Sequence, residues 1–126
     1  MATVKIPNLK TEPPISTLFC EDAYQVAQSL DTGKHDKYTQ LRRFYDEVVS
    51  FQTAIGESQG AYDSKIAFFK MLASKAAYAK GRDLISENCQ VWLQGCVQQV
   101  SNPVVLKHFK FHFEAVLGFV KEQNKA

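Results

Sequence analysis

The chain has 126 residues, 45% of them apolar and 12% aromatic, with 15 Lys and Arg against 13 Asp and Glu. That is enough to bury one core and too little for two, and it lies far from the composition of a disordered chain. A net charge of +2 is too small to mark a nucleic-acid protein by itself, so any such signal must lie in how the charges are distributed.

Three cysteines, Cys20, Cys89 and Cys96, contain no CxxC pair. Their odd number and spacing argue against a disulfide framework or a zinc site. Cys89 and Cys96 are seven apart, so on a helix they share one face as small apolar residues. No basic start precedes an apolar run, and no stretch approaches the roughly 20 apolar residues of a membrane span. The chain is expected to be cytoplasmic and away from membranes.

In chain order, residues 1–16 hold Pro7, Pro13 and Pro14 and little periodicity. They are expected to form an extended N-terminal arm, with a short strand at 4–6. The remainder, 17–126, is expected to be one helical domain. A first helix is predicted at 18–30, marked by Phe19, Tyr24, Ala27 and Leu30, then a loop at 31–36. Leu41, Phe44, Val48, Phe51 and Ile55 recur every three or four residues and predict a helix over 38–55, with Thr39 available to cap a later start. A third helix is predicted at 61–80 from Tyr62, Ile66, Phe69, Ala73 and Ala76 plus Phe68 and Leu72, with Gly81 as its stop. Asp83 is the expected cap of a fourth helix to about 100, striped by Ile85, Cys89, Trp92, Cys96 and Val100. Pro103 opens the last helix at its first position, which carries Leu106, Phe109, Phe113, Val116, Leu117 and Val120. Residues 121–126 are expected to fray. The alternation in Phe109-Lys110-Phe111-His112-Phe113 is strand-like, but its flanks keep helical spacing, so the segment is read as helix. The fold class is all-α, a single-domain bundle of about five helices.

Candidate chemistry is sparse. There is no glycine-rich phosphate loop, no GxSxG and no HExxH. His108 and His112 are one turn apart, a spacing that can hold a metal, but no third ligand is near; beside Lys107 and Lys110 they read as surface polar residues. Arg42 and Arg43 stand four residues before Asp46 and Glu47, so intrahelical ion pairs account for both carboxylates. The expectation is no catalytic residue, no metal and no cofactor.

The charge distribution is more informative. Residues 65–82 contain Lys65, Lys70, Lys75, Lys80 and Arg82 and not one Asp or Glu. A helical segment with five unbalanced cations suits an anionic partner, because neutralised phosphates release condensed counterions. A spacing of five rotates successive lysines round the helix, so they cannot form one line. Arg42, Arg43 and Arg82 are the stronger candidates, since a guanidinium fork matches phosphate oxygens. Lys37 adds to the same charge. Tyr45 and Tyr78 are possible stacking residues, although aromatics at helical spacing are more often core.

Three strings in this order resemble a known family. Leu41-Arg42-Arg43-Phe44-Tyr45-Asp46-Glu47-Val48 looks like the LRKFYDEV signature of the small subunit of type III-A CRISPR effector (Csm) complexes. Lys75-Ala76-Ala77-Tyr78-Ala79-Lys80-Gly81-Arg82 is similar to that family's KLAYAKGR, with Ala76 in place of Leu. Phe109-Lys110-Phe111-His112-Phe113-Glu114-Ala115-Val116 resembles its C-terminal aromatic helix. The likeness spans about residue 17 to the end and leaves the arm outside it.

Such a resemblance implies a non-catalytic helical subunit that stacks in several copies along the guide (CRISPR) RNA–target RNA duplex, opposite the backbone subunits. It also implies that target cleavage belongs to the backbone subunits, and DNase and cyclic oligoadenylate chemistry to the large subunit. The motif positions put Arg42, Lys75, Lys80 and Arg82 first as RNA contacts; Arg43, Lys37, Lys65 and Lys70 are added from charge alone. Guide pairing supplies sequence specificity, so backbone-directed cations suffice. The alternative is a helical protein–protein adaptor without RNA binding. A helix-turn-helix regulator is disfavoured because the segment after Gly81 is apolar and carries no cation beyond Arg82. An enzyme is disfavoured because nothing pairs a nucleophile with a base.

Overall fold

The helical periodicities close into six helices in the computed structural model, which describes residues 3–123. They are α1 (Glu21–Ser29), α2 (Tyr38–Ile55), α3 (Gln59–Phe69), α4 (Met71–Gly81), α5 (Glu87–Gln99) and α6 (Pro103–Gln123). No strand occurs among the described residues. The predicted fraying tail begins within α6, and residues 124–126 lie outside the described residues.

Helix α6 is the axis of the bundle. Helices α1 and α2 pack on it, α4 packs on α5, and α3 links α2 to α4. Ten of its residues are buried, including Phe109, Phe113, Val116 and Val120. An edge-to-face aromatic chain ties the helices to this axis, from Phe51 to Phe69 (5.6 Å between centroids), Phe69 to Phe109 (6.3 Å), and Phe113 to both Trp92 (4.9 Å) and Tyr45 (5.5 Å). Such pairs add to simple area burial because ring edges meet ring faces.

The α2 stripe buries as predicted, with Leu41, Phe44, Val48 and Ile55 inside and Phe51 half-buried. The helix starts at Tyr38 with Lys37 before it, so Thr39 does not cap it. The α5 stripe also holds, and Cys89 and Cys96 are free, buried thiols. Burial pushes both thiols up, Cys89 also through Asp36.

Several expectations are corrected. Residues 4–6 form no strand, because the Val4 N–H donates to the Asn88 side chain (3.2 Å) rather than to a neighbouring strand. The first helix is shorter than predicted, and two of its apolar markers, Phe19 and Tyr24, are exposed. They rest edge-on against Phe111 and Phe119 of α6 instead of entering the core. The third helix divides at Lys70, whose ψ of −13° tightens the turn, so that the Ala73 N–H reaches the Lys70 carbonyl. Phe68, counted there as core, points to solvent. Lastly, the helix after Gly81 starts at Glu87, capped by the Ser86 hydroxyl, which accepts from the Cys89 N–H at 3.2 Å.

Asp83, the expected N-cap, has a different task. Its N–H bonds to the Lys80 carbonyl and the Leu84 N–H to the Ala79 carbonyl. That pair of bonds is the Schellman closure of a helix C-terminus, which needs a left-handed residue. Asp83 supplies it with φ = 62°. Gly81, the predicted stop, is the last helical residue.

The arm is part of the core. Val4, Pro7 and Leu9 are buried, and the Leu9 N–H donates to Gln99 (2.7 Å) while Gln99 returns a bond to the Pro7 carbonyl (2.8 Å). Ile6 seats on Gly95 of α5. A Cβ added there would come within 3.1–3.2 Å of Ile6 Cγ1 and Cγ2 and would collide with its Cδ1. Gly95→Val is therefore expected to lift the arm and to cost about 1–3 kcal/mol. Thermal melting would measure the cost, and faster amide exchange at Leu9 would place it in the arm.

The two histidines of α6 are buried, His108 against this arm and His112 against Leu18 just beyond it, which overturns their reading as surface residues. His108 Nδ1 bonds to the Leu9 carbonyl and His112 Nδ1 to the Leu18 carbonyl, each at 2.8 Å. His112 Nε2 accepts from the Trp92 indole N–H (3.1 Å). An indole only donates, so the His112 proton sits on Nδ1 and the ring is neutral. Burial pushes its pKa down, against the smaller opposing pulls of the Leu18 carbonyl and Asp22.

Candidate nucleic-acid interface

The cations of interest lie on α2, α3 and α4 and at the ends of these helices. Glu47 of α2 and Lys75 of α4 pair at 2.6 Å. At the far end the α1–α2 loop is tied to the α4–α5 loop through Asp36 and Ser86. The start of α2 and the end of α4 thus share one end of the molecule, and the two helices run antiparallel.

On the α3–α4 segment the buried row is Phe69, Leu72, Ala76 and Ala79. One residue earlier at each step runs an outward row of Phe68, Met71, Lys75 and Tyr78, which continues to Arg82 at spacings of three and four. Phe68 is 65% exposed, Met71 52% and Tyr78 67%. Lys65 precedes Phe68 by three and extends the same row.

The eight predicted residues divide on this frame. Lys75 and Arg82 lie on the outward row. Arg43 shares its face of α2 with Glu47, one turn on, and so borders the row. Among the described ion pairs the expected Arg43–Glu47 pair does not occur, and Glu47 pairs with Lys75. Arg82 lies over the Tyr78 ring (5.8 Å to the centroid), with Nη1 3.4 Å from its hydroxyl. Lys37 stands at the same end, its ammonium donating to the Thr32 and Gly33 carbonyls (3.3 and 2.9 Å).

The other predicted residues fall elsewhere. Arg42 turns about 100° from Arg43, into a groove shared with Tyr38, Tyr45, Glu114 and Lys121. It pairs with Asp46 (3.1 Å), as expected, and lies over the Tyr45 ring (5.7 Å). The Asp46 bond first, and the Tyr38 hydroxyl second, hold its guanidinium more firmly charged than usual. Tyr45 donates to Glu114 (3.0 Å), and burial followed by that bond pushes its phenol up to about 12. Lys80 follows Ala76 by one turn and so stands off the outward row, half-buried. Lys70 sits at the α3–α4 break, level with the last turns of α2 through the Phe51–Phe69 contact. Among the described residues, Arg43, Lys65, Lys70 and Lys80 pair with no carboxylate.

Sequence reading missed His35 and Asp83, which meet at this end across 48 positions. No local signal marks such a pair. A concavity of about 720 Å³ lies at the opposite end of α2 between Gly56, Pro103 and Phe111. No group of three or more His, Cys, Asp or Glu suited to a metal occurs among the described residues, and no helix among them is long and apolar enough to cross a membrane.

Fold and edge together define a class: a small all-helical bundle with one exposed helical edge that is cationic and carries its own aromatic residues. The model of the family Csm2 Type III-A matches residues 14–126, and the chain belongs to that family. It is a small subunit of the type III-A CRISPR effector, as the resemblance implied. No curated protein and no solved structure matches the chain.

Proposed function

We propose that this subunit is a non-catalytic, cytoplasmic component that stacks in several copies within the effector. Its α3–α4 edge lies against the phosphates of the guide RNA–target RNA duplex. The observation that carries the reading is the outward row itself: cations at both ends and the middle, Lys75 and Arg82 exposed and Lys65 half-buried, with no Asp or Glu anywhere in residues 65–82. Arg82, Arg43 and Lys75 are the central contacts, and Lys37 and Lys65 extend the edge. Arg42 and Lys80 flank it, and Lys70 faces solvent beside it. Each contact is a modest electrostatic gain, and repetition along several copies multiplies it. Backbone and large subunits of the complex are the other partners.

Exposed Phe68 and Met71 favour a protein neighbour over part of the row, which keeps the adaptor reading in view. The two are separated by an Arg43→Ala/Arg82→Ala variant in the assembled, guide-loaded effector. Target-RNA affinity is expected to fall about tenfold at physiological salt, and the slope of log K against log[salt] to shrink by about two. Helicity and melting should match the unsubstituted protein, since both side chains are exposed. Assembly intact with unchanged RNA affinity would favour the adaptor.

A further inference from the structure

We propose that His35 is a positioning residue for the Arg82 end of this edge: as an imidazolium it clips the α1–α2 loop to the turn that carries Arg82, and losing its proton releases that turn. The inference rests on the reading that this edge contacts RNA.

His35 Nδ1 lies 2.8 Å from Asp31 Oδ2, and Nε2 lies 2.9 Å from Asp83 Oδ1. A neutral imidazole has one N–H, so it can satisfy one carboxylate and turns a lone pair toward the other. Both bonds together require the cation. The partners come from different parts of the fold: Asp31 opens the α1–α2 loop, and Asp83 closes α4 in its left-handed conformation. Arg82 is the residue immediately before Asp83, and Lys37 follows His35 by two. The clip therefore reaches a candidate phosphate contact on each loop.

The surrounding charges favour a held proton. Asp36 is buried beside the loop and spends both oxygens on Asp31 and Ser86 donors. Lys37 is turned onto the Thr32 and Gly33 carbonyls. Lys34, from the loop, and Arg82, from the turn, are exposed and oppose the charge. The Cys89 thiol on α5, beside Asp36, is held protonated by burial. The net direction for His35 is upward, the Asp31 bond first and the Asp83 bond adding to it against a partial desolvation.

Two measurements on the full chain test this. In an NMR titration, His35 should lose its proton above the ordinary histidine value. In Asp83→Asn, which tolerates the left-handed backbone but removes the charge, the midpoint should fall toward that value. An unshifted His35, or one indifferent to Asp83→Asn, overturns the clip whatever the RNA does. In the guide-loaded effector, target-RNA affinity should drop about fivefold more between roughly pH 7 and pH 9 than it does in Arg82→Ala. His35→Lys, which keeps a cation over that range, should bind tightly with a flat profile, and His35→Ala should bind weakly with one. Equal affinities for His35→Ala and the unsubstituted protein at every pH would sink the positioning role while leaving the RNA contact standing. If Arg82→Ala itself bound normally, the RNA contact and the positioning role would fall together.

Discussion

Trp92→Ala is expected to cost the fold about 3–5 kcal/mol, a large share of what a domain of this size holds in reserve. Trp92 is fully buried and is the largest such side chain in the bundle. Its ring packs against Phe113 (4.9 Å) and His112 (5.8 Å), so truncation opens a cavity at the junction of α5, α6 and the residues leading into α1. The loss is also polar, because His112 Nε2 would be left in the core without its donor. Trp92→Phe separates the two components: it keeps most of the volume and removes only the N–H, for about 1–3 kcal/mol. Urea or thermal denaturation would measure both. A Trp92→Ala protein melting within a few degrees of the unsubstituted one would mean that the Trp92–Phe113 contact does not hold α5 to α6.

The same contact fixes a pH dependence. Folded His112 is neutral with its pKa pushed down, chiefly by burial. The unfolded chain binds a proton there at about 6.5, so acid favours unfolding. This contribution is whole above that value and is lost as the pH falls from it through the folded pKa. His35 works in the opposite direction. Its folded pKa is raised, first by Asp31, so its contribution is whole below about 6.5 and is lost as the pH rises through the folded pKa. Melting temperature against pH should therefore decline on both sides. His112→Gln is expected to flatten the acid limb and His35→Gln the alkaline one.

What the sequence disclosed follows from how far apart the interacting residues lie. The stripes of α2 and α5 were legible because each helix keeps its buried residues at three-and-four spacing, which identifies the face from the sequence alone. The α3–α4 segment was harder, because Phe68 and Phe69 are adjacent and equally apolar. The inward place of Phe69 is set by the turn at Lys70 and by the rings of Phe51 and Phe109, which come from other helices. The family strings located Arg42, Lys75, Lys80 and Arg82, but rotation about the helix separates Arg42 from Lys75, and no string shows rotation. His108 and His112 were misread for one reason. Each histidine looks polar and solvent-facing until a carbonyl 94 to 99 positions away arrives to accept its proton. The family model begins its match at residue 14, so most of the arm that supplies Leu9 lies outside it. Gly81, expected just past the end of α4, is its last helical residue, since the left-handed position fell to Asp83, whose carboxylate is engaged by His35.

Asp36→Ala is expected to be nearly as damaging as the loss of Trp92, by a purely polar route. Asp36 is fully buried and has no cation beside it among the described ion pairs. Donors hold it instead: Oδ2 accepts from the Asp31 N–H (2.8 Å) and the Ser86 hydroxyl (2.6 Å), and Oδ1 from the Ser86 N–H (2.7 Å). The Ser86 oxygen in turn caps α5 at Cys89. Alanine leaves several of these donors unpaired in the interior, at about 1–3 kcal/mol apiece, so a total near 3–5 kcal/mol is expected. Asp36→Asn should cost less, about 2 kcal/mol, because one oxygen still accepts while the new amide N–H₂ meets a donor. Ser86→Ala should lose roughly 1 kcal/mol as a missing cap. The location matters more than the size. Asp36 stands next to His35 and joins the two loops that carry Lys37 and Arg82, whereas Trp92 touches neither. In denaturation the alanine variants of Trp92 and Asp36 should look alike. In the NMR titration only Asp36→Ala, under conditions where the chain stays folded, should return His35 toward its ordinary midpoint. If both variants left His35 equally shifted, the two loops would be joined by something other than this carboxylate.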